Sequence, residues 1–222
     1  MKVDIRHDPS FAVARAHLGP GEAIRAESGS MMATSEGVEI EARMQGGMMR
    51  SVGRGLLGGE SLFMTTFTAA HQGGWVDVAA SLPGDLAVVD ITPESPLFIS
   101  RGCWLFSATG VDLDTKWGGF KNLFGGEGGF LLRATGRGQC AISSYGAMDV
   151  VSLAAGERFV LDTGHLIAYE PTVQFTTRRA AQGRTVQSMK SGEGFVFEFA
   201  GPGDVITQSR NPGAFLGVGK RQ

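Results

Sequence analysis

One phrase recurs along the chain. It reads Gly-Gly-Glu-Ser-Leu-Phe at 58–63, Gly-Gly-Glu-Gly-Gly-Phe at 125–130 and Ser-Gly-Glu-Gly-Phe at 191–195, with Glu60, Glu127 and Glu193 at steps of 67 and 66 residues. Placing the three glutamates in register aligns further landmarks upstream. Gly29, Gly102 and Gly164 coincide, each followed by a pair of apolar residues: Val38/Ile40, Val111/Leu113 and Val173/Phe175. Earlier still, Leu18, Ile91 and Leu153 coincide. Three blocks that keep one order mark an internal repeat, and a repeat of this length constrains the architecture directly. The expectation is one β domain over residues 1–222 built of three pseudo-repeat units, about 11–83, 84–145 and 146–202. A closing strand segment at 203–217 is expected to pair near the N-terminus.

Each unit reads as strands and turns. Val38-Glu39-Ile40, Val111-Asp112-Leu113 and the run Phe195-Val196-Phe197-Glu198-Phe199 alternate with period two, the pattern of a half-buried strand. No stretch sustains apolar spacing at i, i+3 and i+4 between caps, so helix should be minor. Glycine supplies 34 of 222 residues, about twice the usual ~7%, without a Gly-X-Y period, which points to many tight turns. No single unit can bury a core alone. The predicted class is therefore all-β, with antiparallel sheets whose inner faces share a core around a pseudo-threefold axis.

Charge and cysteine content exclude several classes. The formal net charge is −2 with no long basic run, so a broad electrostatic case for nucleic acid is absent. Cys103 and Cys140 stand alone, away from metal-ligand spacing, and read as reduced thiols of a cytoplasmic protein. The opening Met-Lys-Val-Asp-Ile-Arg-His-Asp carries charge where a signal peptide needs an apolar run.

The blocks Gly-Glu-Ala-Ile-Arg-Ala-Glu-Ser-Gly-Ser-Met-Met (21–32), Gly-Gly-Glu-Ser-Leu-Phe-Met-Thr-Thr-Phe (58–67) and Gly-Pro-Gly-Asp-Val-Ile-Thr-Gln-Ser-Arg-Asn-Pro (201–212) carry a resemblance. The chain resembles the bacterial relatives of the mitochondrial biogenesis family named for altered inheritance of mitochondria, from about Gly21 to Asn211. That resemblance implies a fold like the tryptophan RNA-binding attenuation protein, with antiparallel sheets in a double-stranded β-helix-like arrangement. It implies no catalytic residue set.

Candidate chemistry is sparse. The run Gly53-Arg54-Gly55-Leu56-Leu57-Gly58 fits G-x-G-x-x-G, but a strand follows it rather than a helix, so it reads as a β-loop and not a phosphate cradle. His7, His17, His71 and His165 have no partner at ligand spacing, and Cys103 has no local base, so no metal, cofactor or nucleophile is expected. Glu60, Glu127 and Glu193 are weak ligand candidates, since a threefold axis would bring three carboxylates together; turn chemistry is the plainer reading. The loops 44–59 and 117–126 mix Gly with large apolar residues, among them Met48, Met49, Leu56, Leu57, Trp117, Phe120, Leu123 and Phe124. So much apolar surface on loops predicts folding back over the core, a contact between copies, or a membrane surface beside Arg50, Arg54 and Lys121. The function expected is a non-enzymatic binding or scaffold protein, a homo-oligomer with a peripheral membrane or protein partner. The alternatives are a small ligand or an enzymatic role in a cleft between units, and RNA binding by analogy with the fold.

Overall fold

The structure is a computed structural model that describes residues 1–45, 62–114, 131–180 and 195–218. Its strands form four sheets, and every pairing between named strands is antiparallel. The first sheet runs β1 (Lys2–Arg6), β2 (Val13–Leu18), β7 (Gly74–Ala79), β4 (Met31–Thr34). The second runs β5 (Glu39–Gln45), β6 (Leu62–Thr68), β3 (Ala23–Glu27), β10 (Trp104–Ala108), β13 (Gly138–Ser143), β8 (Leu86–Ile91). The third runs β11 (Val111–Asp114), β12 (Leu131–Gly136), β9 (Leu97–Ser100), β16 (Leu166–Tyr169), β19 (Gly203–Gln208), β14 (Met148–Leu153). The fourth runs β15 (Arg158–Asp162), β18 (Phe195–Ala200), β17 (Gln174–Arg179). One short helix, α1 (Pro212–Val218), follows the last strand. The chain is thus all-β, as the alternation predicts.

Four kinds of pairing occur three times each. β2–β7, β8–β13 and β14–β19 pair, as do β4–β7, β10–β13 and β16–β19. So do β3–β6, β9–β12 and β15–β18, and β5–β6, β11–β12 and β17–β18. Leu18, Ile91 and Leu153 each end a strand opposite a glycine: Gly74, Gly138 and Gly203. Two further pairings, β3–β10 and β9–β16, join these groups of strands into the six-stranded sheets.

Alternation decides which core each face meets. In β8, Ala87, Val89 and Ile91 face one cluster while Leu86 and Val88 face another. In β10, Trp104 meets the first of these and Leu105 and Phe106 the second, so this part of the sheet is apolar on both faces. A third cluster gathers Phe98, Leu131, Leu166, Tyr169, Phe197 and Phe199. Its rings lie 5.0 Å apart for Phe98 and Tyr169 and 5.4 Å for Phe197 and Phe199, within the range of favourable aromatic pairs. Each fully buried side chain of this size is worth about 1.5–3 kcal/mol of transfer free energy.

The segment from Gly203 departs from expectation. β19 lies between β16 and β14 in the third sheet, while β1 pairs with β2 in the first. Val205, fully buried, belongs to the third cluster and lies opposite Val151 and Tyr169, so β14 and β16 complete its burial rather than the N-terminal strand. Pro212 then opens a helix where continued strand was expected, its fixed φ and missing N–H suiting the first helical position.

Candidate functional site

A cleft of about 420 Å³ opens where several turns converge, a volume within the range of small-molecule sites. Its walls come from two kinds of segment. The first kind lies at the ends of β3, β9 and β15: Glu27; Ser100, Gly102 and Cys103; Thr163 and Gly164. The second follows β7, β13 and β19: Ala80–Leu82, Ser143–Tyr145, and Gln208 with Asn211–Gly213. Leu131, Leu166 and Phe197 supply the apolar floor.

Local hydrogen bonds hold these turns. The Asp162 carboxylate accepts from the Gly164 amide at 2.9 Å and from Asn211 Nδ2 at 3.2 Å. Asn211 Oδ1 accepts from the Gly213 amide at 2.8 Å, the role of a helix N-cap. Gln208 is the central tie, since its Oε1 accepts from the Tyr145 amide at 2.8 Å and its Nε2 donates to the Gly164 carbonyl at 3.0 Å. His165 Nδ1 lies 2.7 Å from the Gln208 carbonyl, which can only accept, so Nδ1 carries the proton. That makes His165 a structural histidine, as its isolation in the sequence suggests. On the opposite wall Ser144 Oγ donates to the Gly146 carbonyl at 2.6 Å and accepts from the Asp85 amide at 3.0 Å. There Gly84 forms an isolated bridge with Gly146, so close that a Cβ at Gly84 would stand 2.0 Å from the Ser144 carbonyl oxygen. Only glycine fits that approach.

The cleft holds a thiol of low reactivity. Cys103 lies in its wall, and burial, with the nearby Glu27 charge adding to it, pushes the thiol up to about 12. Cys140 is also pushed up to about 12 by burial alone. Thiolate is therefore scarce at neutral pH in both. No group of three or more His, Cys, Asp or Glu residues suited to a metal ion occurs among the described residues. The cleft offers apolar surface with backbone and amide groups at its rim, an arrangement that can enclose a small, mainly apolar molecule.

The structure does not describe the site candidates singled out in the sequence. Glu60, Glu127 and Glu193 lie outside the described residues, as do Met48, Met49, Leu56, Leu57, Trp117, Phe120, Leu123, Phe124 and the glycine run 53–58. The cleft residues gave little signal of their own. Gly102 and Gly164, aligned by the repeat, are the ones the sequence could have marked. Arg178 pairs with Glu198 on the neighbouring strand.

A second polar cluster lies on the first sheet. Asp77, only 2% exposed, receives Arg15 Nε and Nη2 at 2.7 Å each and Arg6 Nη2 at 2.8 Å. Arg15 also stacks over Trp75, its guanidinium carbon 3.8 Å from the ring centre. The Arg15 hydrogen bond, helped by Arg6 and opposed by burial, holds the Asp77 carboxyl below its usual value.

Antiparallel sheets joined edge to edge, with a turn-lined cleft, define the class as an all-β protein in which no helix among the described residues is long and apolar enough to cross a membrane. The chain belongs to the mitochondrial biogenesis AIM24 family, which matches residues 3–210. It is 25% identical over 229 residues to an uncharacterised protein of Streptococcus pyogenes serotype M6, covering 100% of this chain and 90% of that one. A crystal structure of a Streptococcus pyogenes protein shares the fold, with a TM-score of 0.79 at 23% identity over 99% of this chain and 98% of that one.

Proposed function

We propose that this chain is a non-enzymatic binding or scaffold protein that works as a homo-oligomer in the cytoplasm and meets a membrane surface through its Gly-rich apolar loops. In this reading the three sets of six strands are repeats of one unit, in the manner of the tryptophan RNA-binding attenuation protein. The observation that carries it is the placement of exposed apolar side chains. Met31, Met32, Ile40, Phe63, Val150 and Val160 all sit on strands, and each leaves two-fifths or more of its surface in water. Single exposed apolar residues are ordinary, but a set concentrated on sheet strands favours association with another surface. Light scattering after size exclusion and liposome flotation test this on wild type and on a variant with Leu56, Leu57, Phe120 and Phe124 changed to Ser. A wild type that is monomeric and leaves liposomes unbound would sink the proposal.

The cleft favours a second reading, a site for a small apolar ligand, with or without chemistry performed on it. Gly102 lines the cleft, and a Cβ there meets no atom within 4 Å. Gly102→Phe should therefore fold normally while filling the cavity. A ligand that raises the wild-type melting temperature should lose that effect in Gly102→Phe. An unchanged shift would place the ligand elsewhere.

A further inference from the structure

Two strand edges repeat a surface that is covered elsewhere in the molecule. β3 carries β10 on its free side, with Ala26 opposite Phe106 and Arg25 opposite Ser107. β9 carries β16 in the same way, with Ile99 opposite Ala168 and Phe98 opposite Tyr169. β15 occupies the corresponding place in the fourth sheet, since Ala26, Ile99 and Leu161 face Thr65, Leu132 and Phe197 of the strands that pair with them. Yet no strand lies on the free side of β15 among the described residues. β4 is the matching orphan. It pairs with β7 through the same bulge that β10 and β16 make with β13 and β19, setting Ala33 opposite Asp77 as Phe106 is opposite Ala141 and Ala168 opposite Ile206. Its other edge also pairs with no strand among the described residues.

Burial records the missing neighbour. Leu105 and Ile167, the bulge residues of β10 and β16, are fully buried, whereas Met32 of β4 is 60% exposed. Trp104 and Leu166 are buried, whereas Met31 is 41% exposed. Phe98 is buried under β16, whereas Val160 of β15 is 51% exposed. β4 reads Met-Met-Ala-Thr with no charge, and β15 carries its charges, Arg158 and Asp162, only at its two ends, leaving Phe159, Val160 and Leu161 between them.

We propose that β15 of one chain pairs antiparallel with β4 of a second copy, repeating the β3–β10 and β9–β16 junctions between molecules. This rests on the scaffold reading and names its partner as another copy of the chain. The internal junctions fix the register: Leu161 opposite Ala33 of the second copy, and Val160 opposite Thr34. The contact joins unlike surfaces, so it is head to tail, and copies added this way close into a ring or run on as a filament. Opposite β4, Asp77 stands where β13 has Ala141 and β19 has Ile206, and the partly exposed Arg6 and Arg15 that cover it give the first sheet a polar surface there.

Cysteine pairing tests the register directly. Directly opposed residues of an antiparallel pair have Cα atoms about 4.5–5.5 Å apart, within disulfide reach. Thr34→Cys and Val160→Cys are made as separate single variants, and Cys103 and Cys140 are buried and out of reach. Mixed and treated with oxidised glutathione, the two should give a cross-linked dimer on a non-reducing gel, and neither variant alone should. In parallel, wild type should run above the monomer mass by light scattering, and Val160→Lys and Met32→Asp should run as monomers with unchanged circular dichroism. Self-cross-linking of either variant alone, or an intramolecular bond when both cysteines are placed in one chain, would overturn the head-to-tail contact. An assembled wild type with no mixed cross-link removes edge pairing but leaves the scaffold reading standing. A monomeric wild type that also ignores liposomes removes both.

Discussion

Replacing Asp77 with Ala isolates the polar cluster on the first sheet. The carboxylate receives three charge-assisted hydrogen bonds, from Arg15 Nε and Nη2 and from Arg6 Nη2, and is itself almost fully buried. Breaking a fully buried ion pair by removing one partner costs about 3–5 kcal/mol. Here both arginine side chains keep roughly a third of their surface in water and regain hydration when the carboxylate goes, so the expected loss is smaller, about 2–3 kcal/mol. For a chain of this length that is roughly 4–12 °C in melting temperature. The pH dependence has a fixed sign. The Asp77 carboxyl titrates below its usual 3.8 in the folded protein, so its contribution is fully present above that value and is lost as pH falls through the folded value. Urea denaturation of wild type and Asp77→Ala, at neutral pH and at pH steps below 4, should give two curves that converge toward acid. A gap under ~0.5 kcal/mol at neutral pH, near the noise of surface substitutions, would refute the argument, as would a gap that stays constant on acidification.

Two other measurements follow from burial. Both cysteines should resist a thiol reagent at pH 8 in the native protein and react fully in denaturant, because burial holds each near 12; rapid native labelling would contradict it. The buried Tyr169 hydroxyl has no hydrogen-bond partner among the described residues and its pKa is raised by burial, so Tyr169→Phe should cost nothing and add up to ~1 kcal/mol of stability by urea denaturation.

Much of the strand content is legible in the residues, because alternation and burial coincide where one face meets a core. Val111 and Leu113 are buried and Asp112 and Asp114 exposed, as period two requires. Asp77 breaks that rule within the Trp75–Ala79 alternation. It is buried because arginines from β1 and β2 cover it, and nothing near Asp77 in sequence announces them. Ile40 fails in the opposite sense: it sits in an alternating strand yet stays half exposed. The cleft is hidden for a related reason. Its walls come from turns as distant as Glu27 and Gly213, each ordinary alone, and it takes Gln208, bonded to both Tyr145 and Gly164, and Asn211, bonded to Asp162, to show that they converge. The closing segment was misplaced because Gly203-Asp204-Val205 looks like Gly84-Asp85-Leu86, whereas its pairing with β14 and β16 corresponds to that of Gly138–Ser143 with β8 and β10.

The shared sheets have a consequence for how the protein is made. β3 and β6 are complete once residue 68 exists, but β10, the strand that covers the free edge of β3, is finished only at Ala108. At about 5–20 residues per second, a ribosome leaves the β3 edge uncovered for about 2–8 s. During that interval the nascent chain carries an apolar strand edge of the same kind that the finished protein retains at β15. Polysomes would thus bring many incomplete chains with matching edges into proximity, so slow elongation between residues 68 and 108 should favour mispairing between nascent neighbours over the native β3–β10 junction.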